Sequence, residues 1–170
     1  MILTRNHVLK LMEEGVLAID PFLPECLGPS SYDLALGNEF RTFKKVTRIV
    51  ETTEDVDYRA LTDLITVPDG ERFLLMPGES AHAITRERLI LPQDVCAWLQ
   101  GRSTFARLGL VIHITASFVQ PGCRNKQVLE MFNASPMPLA VRPGDRVCQV
   151  IFQSCSGRAE YRGRYEDQKL

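Results

Sequence analysis

Residues 101–107, Gly101-Arg102-Ser103-Thr104-Phe105-Ala106-Arg107, place a glycine, two arginines and two adjacent hydroxyls inside apolar sequence. Glycine lets backbone N–H groups approach a ligand closely. Arg102 and Arg107 offer planar charged forks that suit phosphate oxygens. Ser103 and Thr104 offer hydroxyl hydrogen bonds. The plainer reading is a turn that opens a helix, with both arginines solvated. A second chemical residue is Glu130 in "QVLEMFNA". On a strand, Val128, Glu130 and Phe132 share one face, with Leu129 and Met131 on the other. A carboxylate among apolar neighbours is costly unless partnered. Shielding also biases a carboxyl toward holding a proton, which suits proton transfer. The alternatives are a structural ion pair with an arginine or an exposed edge position. His113, alone on the apolar stretch "LVIHITA", reads first as a wall residue. Tyr32-Asp33 follows a Gly-Pro-Ser turn, and the aspartate reads first as a turn cap.

Several well-known chemistries are missing from the sequence. The H-x-E and P-C-x-x-C signature of zinc-dependent base deaminases is absent. So are the Walker A and dinucleotide-binding glycine patterns and the G-x-S-x-G elbow. Five cysteines, Cys26, Cys96, Cys123, Cys148 and Cys155, are scattered without zinc-type spacing and read as free thiols in a reducing compartment. Cytoplasmic localisation is expected, because the N-terminus is charged throughout and lacks an apolar signal core. No apolar run approaches the ~20 residues of a membrane helix. Twenty basic and 21 acidic residues leave a net charge of -1, which argues against a nucleic-acid coat or a membrane-surface protein. A small anionic ligand needs only a local basic pocket.

The elements that must position these residues are mostly strands. The chain has 170 residues and 45% hydrophobic content, enough for one compact domain with a sizeable core. An N-terminal helix is expected, with Thr4 as N-cap, Val8, Leu9, Leu11 and Met12 as its apolar stripe and Gly15 as its stop. Residues 57–65 suggest a second short helix. The remainder is short β-type runs, "YDLALG", "RFLLM", "AHAITRERLI", "VCAWLQG", "LVIHITASFVQ", "QVLEMFNA", "LAVR" and "VCQVIFQ", separated by Pro, Gly and Asp turns. Such spacing indicates a sandwich or barrel. Residues 1–156 form the expected β domain. Residues 157–170 form a polar tail that is either a free end or a flap over a ligand.

Taken in order, these segments resemble the dCTP deaminases of the trimeric dUTPase-like superfamily. The resemblance covers "MILTRNHVLKLMEEGVLAIDPF", "GPSSYDLALGNEFRTF", "GRSTFARLGLVIHITA", "VLEMFNAS", "PLAVRPGDRVCQVIF" and "YRGRYEDQ". It implies a mainly β fold, a distorted β-barrel or jelly-roll with a short N-terminal helix, assembled as a homotrimer with active sites between subunits. It implies zinc-independent hydrolysis of dCTP to dUTP and ammonia, feeding dUMP and dTTP synthesis. Mg2+ would be carried by the triphosphate, dTTP would act as inhibitor, and neither nucleic acid nor membrane would be a partner. Glu130 matches the family's catalytic glutamate. Ser103 and Arg107 match residues that position the water and that glutamate. Arg102 and Thr104 match phosphate contacts, and Ala116 a position whose backbone holds the base. Arg164, Tyr165 and Gln168 match a lid over the nucleotide, with Arg164 in place of a lysine.

One segment departs from the family pattern. In "QPGCRNKQVLE", Gln120 replaces the usual aspartate of the substrate-binding site, Cys123 an aromatic and Asn125 a glycine. In dUTPases and bifunctional deaminase–dUTPases that aspartate serves the water that cleaves the α–β phosphate bond. Glutamine cannot act as a base, so little or no dUTPase activity is expected. The alternatives are a bifunctional enzyme or dUTPase, and a silent nucleotide-binding regulator.

Overall fold

The computed structural model describes residues 1–113, 115–166 and 168–170. Ile114, inside the expected 110–120 stretch, and Asp167, inside the tail, lie outside the described residues. The chain opens with helix α1 (Arg5–Glu13). The strands are β1 (Ala18–Asp20), β2 (Tyr32–Leu34), β3 (Leu36–Phe43), β4 (Thr62–Thr66), β5 (Phe73–Leu75) and β6 (Ser80–Ile90), followed by β7 (Val95–Gly101). After the one-turn helix α2 (Ser103–Ala106) come β8 (Leu110–Ile112), β9 (Phe118–Val119), β10 (Arg124–Asn133), β11 (Leu139–Val141) and β12 (Cys148–Ser154).

The expected helix is present. Its apolar stripe is used as anticipated: Val8 is buried, and Leu9, Leu11 and Met12 pack on the core. Thr4 holds the N-cap position without a side-chain cap, and Gly15 ends the helix at φ +70°. The helix expected over 57–65 is corrected. Only Tyr58–Leu61 form a 3₁₀ turn, capped by the Asp57 carboxylate, which accepts from the Arg59 N–H at 3.0 Å. Residues from Thr62 onward run as β4 because the edge of β3 is open to pair with them, Phe40 opposite Ile65 and Thr42 opposite Asp63. Tertiary pairing outweighs weak local helix preference here.

The strand pairs are antiparallel throughout the described sheets. The largest sheet runs β4-β3-β6-β10-β8, with β1 added on β6, and a second runs β2-β12-β7-β9. Strands β11 and β5 pair separately. Between the sheets lies one continuous apolar cluster that includes Tyr32, Phe40, Leu89, Leu99, Leu129, Val150 and Phe152. Phe40 and Phe73 stack within it, ring centroids 4.5 Å apart. This is the mainly β barrel-like fold that the turn spacing indicated. No helix among the described residues is long and apolar enough to cross a membrane.

Two features position side chains for chemistry. Strand β10 is central, paired with β6 on one side and β8 on the other. Its alternation puts Leu129 (0% exposed) and Met131 (1%) into the core, worth about 2 kcal/mol each in burial. The same alternation turns Glu130 to the opposite, half-open face. The tail also folds back. Ala159 N–H donates to Gln93 O at 2.8 Å and Tyr161 N–H to Pro121 O at 3.0 Å.

Candidate active site

Glu130 lies on the wall of a cavity of about 480 Å³. Val128, His82, His113, Ala116 and Gln120 line it from the barrel, with Tyr58 from the 3₁₀ turn and Tyr161, Tyr165 and Gln168 from the tail. The carboxylate accepts from the Thr115 N–H (3.3 Å) and the Thr115 hydroxyl (3.2 Å). Thr115 forms a bend between β8 and β9. That connection is held against β10 where His113 N–H donates to Glu130 O at 2.7 Å. His113 takes φ +60°, a left-handed conformation unusual outside glycine. This conformation carries the ring back over the connection, where Nε2 meets Ala116 O at 2.8 Å. A carbonyl only accepts, so Nε2 carries the proton and Nδ1 presents a lone pair.

His82 is the second imidazole. Its residue stands directly opposite Glu130 in the β6–β10 register. The ring is edge-on to Phe43 and Tyr58 at 5.2 and 5.3 Å. Nδ1 of His82 and Nδ1 of His113 are both buried without a hydrogen-bond partner. Burial lowers the proton affinity of each ring, and the Glu130 charge opposes this only in part; for His82 the Arg41 guanidinium adds to the lowering. The unfolded chain takes up these protons near the ordinary value of 6.5, whereas the folded chain resists them. Their stabilising contribution is therefore complete above that value and is lost as the pH falls toward the lower folded values. The melting temperature should fall between about pH 7.5 and about pH 5.5, and His82→Gln should flatten part of that slope. An unchanged slope in scanning calorimetry would contradict the burial argument.

The anticipated site residues divide into two groups. Glu130, Ala116, Gln120, Tyr165 and Gln168 meet at the cavity. Arg102, Ser103, Thr104 and Arg107 do not line it. They surround α2, where Ser103, Thr104 and Arg107 are exposed. Arg102 donates to Asp33 at 3.0 Å and to Arg146 O at 2.6 Å, which ties the start of α2 to β2 and to the segment just before β12. Asp33, read as a turn cap, is thus the counter-ion of Arg102. Arg164 also lies off the cavity: its guanidinium bonds Glu54 O and, at 3.4 Å, Val56 O. Thr115, His82, Tyr58 and Gln127 were missed. Only His82 left a trace in the sequence, a lone polar ring at a half-open strand position.

A half-buried carboxylate held by two donors, on the wall of a half-open cavity of a barrel-like β fold, is an arrangement for proton transfer to a small ligand. Comparison with known proteins places it. Residues 2–155 match the model of the dCTP deaminase-like family, and the chain belongs to that family. A Shewanella loihica protein named dCTP deaminase is 43% identical over 165 residues, 92% of this chain and 84% of that protein. A Methanobrevibacter smithii protein named "dCTP deaminase, dUMP-forming" is 38% identical over 161 residues, 94% of this chain and 83% of its own length. Among solved structures, the 2'-deoxycytidine 5'-triphosphate deaminase of Agrobacterium tumefaciens superposes with a TM-score of 0.71 at 21% identity. That match covers 90% of this chain but 48% of the Agrobacterium chain, and it speaks to the fold.

Proposed function

We propose that the protein hydrolyses the magnesium complex of dCTP to dUTP and ammonia. The observation that carries this is Glu130, held by Thr115 inside the cavity. The carboxylate takes a proton from water, and the resulting hydroxide attacks C4 of the cytosine. The proton passes to N3, giving a tetrahedral centre. The second hydroxyl proton then moves through Glu130 to the amine, which leaves as ammonia while the C4 carbonyl forms. No oxidant enters, and the only co-reactant is water. Thr115 fixes the base before substrate arrives, so no reorganisation is needed at the moment of transfer. Ala116 offers backbone groups to the ring, and Gln120 faces the sugar side. Tyr165 and Gln168 cover the nucleotide.

Arg102, Ser103, Thr104 and Arg107 take their roles from a neighbouring copy in a homotrimer. Their exposure around α2, away from the cavity of their own chain, supports this arrangement. Arg102 and Thr104 meet phosphate, while Ser103 and Arg107 reach the water and Glu130. Arg164 joins the phosphate contacts on leaving the Glu54 and Val56 carbonyls. dTTP shares the sugar and triphosphate and competes for the same cavity. The five free cysteines suit a reducing cytoplasm.

The Methanobrevibacter name raises a second product, dUMP. Gln120 weighs against it, because an amide cannot take the proton from a water attacking phosphorus. Pure protein with dCTP and Mg2+ should release ammonia and accumulate dUTP without pyrophosphate, read by chromatography. Absence of turnover of dCTP, dCMP and deoxycytidine would overturn the reading; pyrophosphate would overturn the argument from Gln120.

A further inference from the structure

Asn125 and Gln127 at the start of β10, and Cys123 just before it, line one end of the cavity, but no step of the proposed deamination uses their side chains. Asn125 is 7% exposed and Gln127 5%, beside the buried Cys123. Asn125 Oδ1 accepts from Gln127 Nε2 at 2.7 Å and from Cys123 Sγ at 3.0 Å. Asn125 Nδ2 donates to Tyr165 O at 2.8 Å and to Glu166 O at 3.2 Å. The orientation of the amide is unambiguous. A flipped Asn125 would set its oxygen against two carbonyls and its nitrogen against the Gln127 donor. The Gln127 amide is oriented in turn, because Nε2 also donates to the Asn125 backbone O at 3.4 Å, and the Gln127 backbone N–H is tied to Thr85 Oγ1 at 2.9 Å. A rigid strand thus presents two donor hydrogens to the backbone of the tail, at the residue whose ring lines the cavity. Gln168 adds a bond to Lys126 O at 2.7 Å, one residue along.

We propose that Asn125, oriented by Gln127, is a latch that holds the tail over its own chain's cavity before any nucleotide binds. It is a positioning residue for dCTP deamination, and its kinetic consequence rests on that reading. A covering segment already ordered in the free protein spares the ordering entropy that a loose one loses on binding. The latch therefore tightens nucleotide binding, and it must open for the nucleotide to enter and leave.

Asn125→Asp keeps the size and the Oδ1 acceptor but removes both donor hydrogens and faces two carbonyls with a charge. Limited trypsin digestion of the ligand-free protein, read by mass spectrometry, reports cleavage after Arg158, Arg162 and Arg164. The expected result is cleavage about tenfold faster than wild type at a temperature where the domain remains folded, with KM for dCTP raised by a similar factor and kcat changed less. Asn125→Ala, which removes the donors without adding charge, should show the same direction and serves if the aspartate variant does not fold. Equal cleavage rates in folded variants would overturn the latch. Faster cleavage in a protein that turns over no dCTP would leave the latch standing and overturn the deaminase reading instead.

Discussion

Replacing Glu130 by glutamine should remove deaminase turnover, with kcat falling by about 10⁴-fold and the melting temperature unchanged. The separation of the two readouts has a geometric basis. The glutamine amide oxygen can accept from the Thr115 N–H, and its nitrogen can donate to the Thr115 hydroxyl, so both carboxylate contacts survive in form. Leu129 and Met131 keep their places in the core, and the backbone bond to His113 does not involve the side chain. Only the ability to take a proton is lost. Binding should persist, so calorimetric titration of the variant with dCTP should give a measurable affinity with no product. A variant that retained a tenth of wild-type turnover would mean that another group removes the proton from water.

Gly109→Ala should be the most damaging small change to the fold. Gly109 has φ +86°, and a methyl group added there would meet Ser135 Cβ at 2.7 Å and Ser135 N at 2.9 Å. A left-handed alanine costs about 1 kcal/mol or more, and the backbone of residue 135 has little room to retreat. Ser135 N–H and Oγ are both bonded to Asn133 Oδ1, at 2.9 and 2.8 Å. Asn133, wholly buried, donates in turn to Leu75 O and Met137 O. One methyl therefore strains the junction of α2, the end of β10 and the β5 strand together. A loss of about 3–5 kcal/mol is expected, which for a chain of this size lowers the melting temperature by roughly 10 °C. A drop of less than about 3 °C in thermal denaturation would show that Ser135 can move freely.

The strands were legible because apolar runs and turn residues alternate at short, regular spacing. The runs at 80–90, 95–101 and 148–154 emerge almost residue for residue. Strand β4 was not legible: "TDLIT" has no alternation that separates it from the preceding turn, and only the open edge of β3 decides its state. Glu130 could be read because a charge between Leu129 and Met131 is costly without a purpose. Thr115 could not, since a threonine in a bend carries no signal of what it faces. Asn125 stood out only as a departure from a glycine. Its meaning required Tyr165 and Glu166, 40 and 41 positions away along the chain.

Glu130 lies on a strand bonded along both edges, whereas the tail is held by scattered bonds to residues 41, 54, 56, 58, 59, 93, 121, 125 and 126. Proton chemistry and nucleotide selection therefore reside on pieces of chain with very different tolerance to change. On the strand, the inward positions Leu129 and Met131 are fixed by the core, and changes there damage the fold. The tail and exposed loop positions such as Gln120 can accumulate replacements at less cost to folding. A lineage built this way can shift which nucleotide it admits while the group that handles the proton stays where it is.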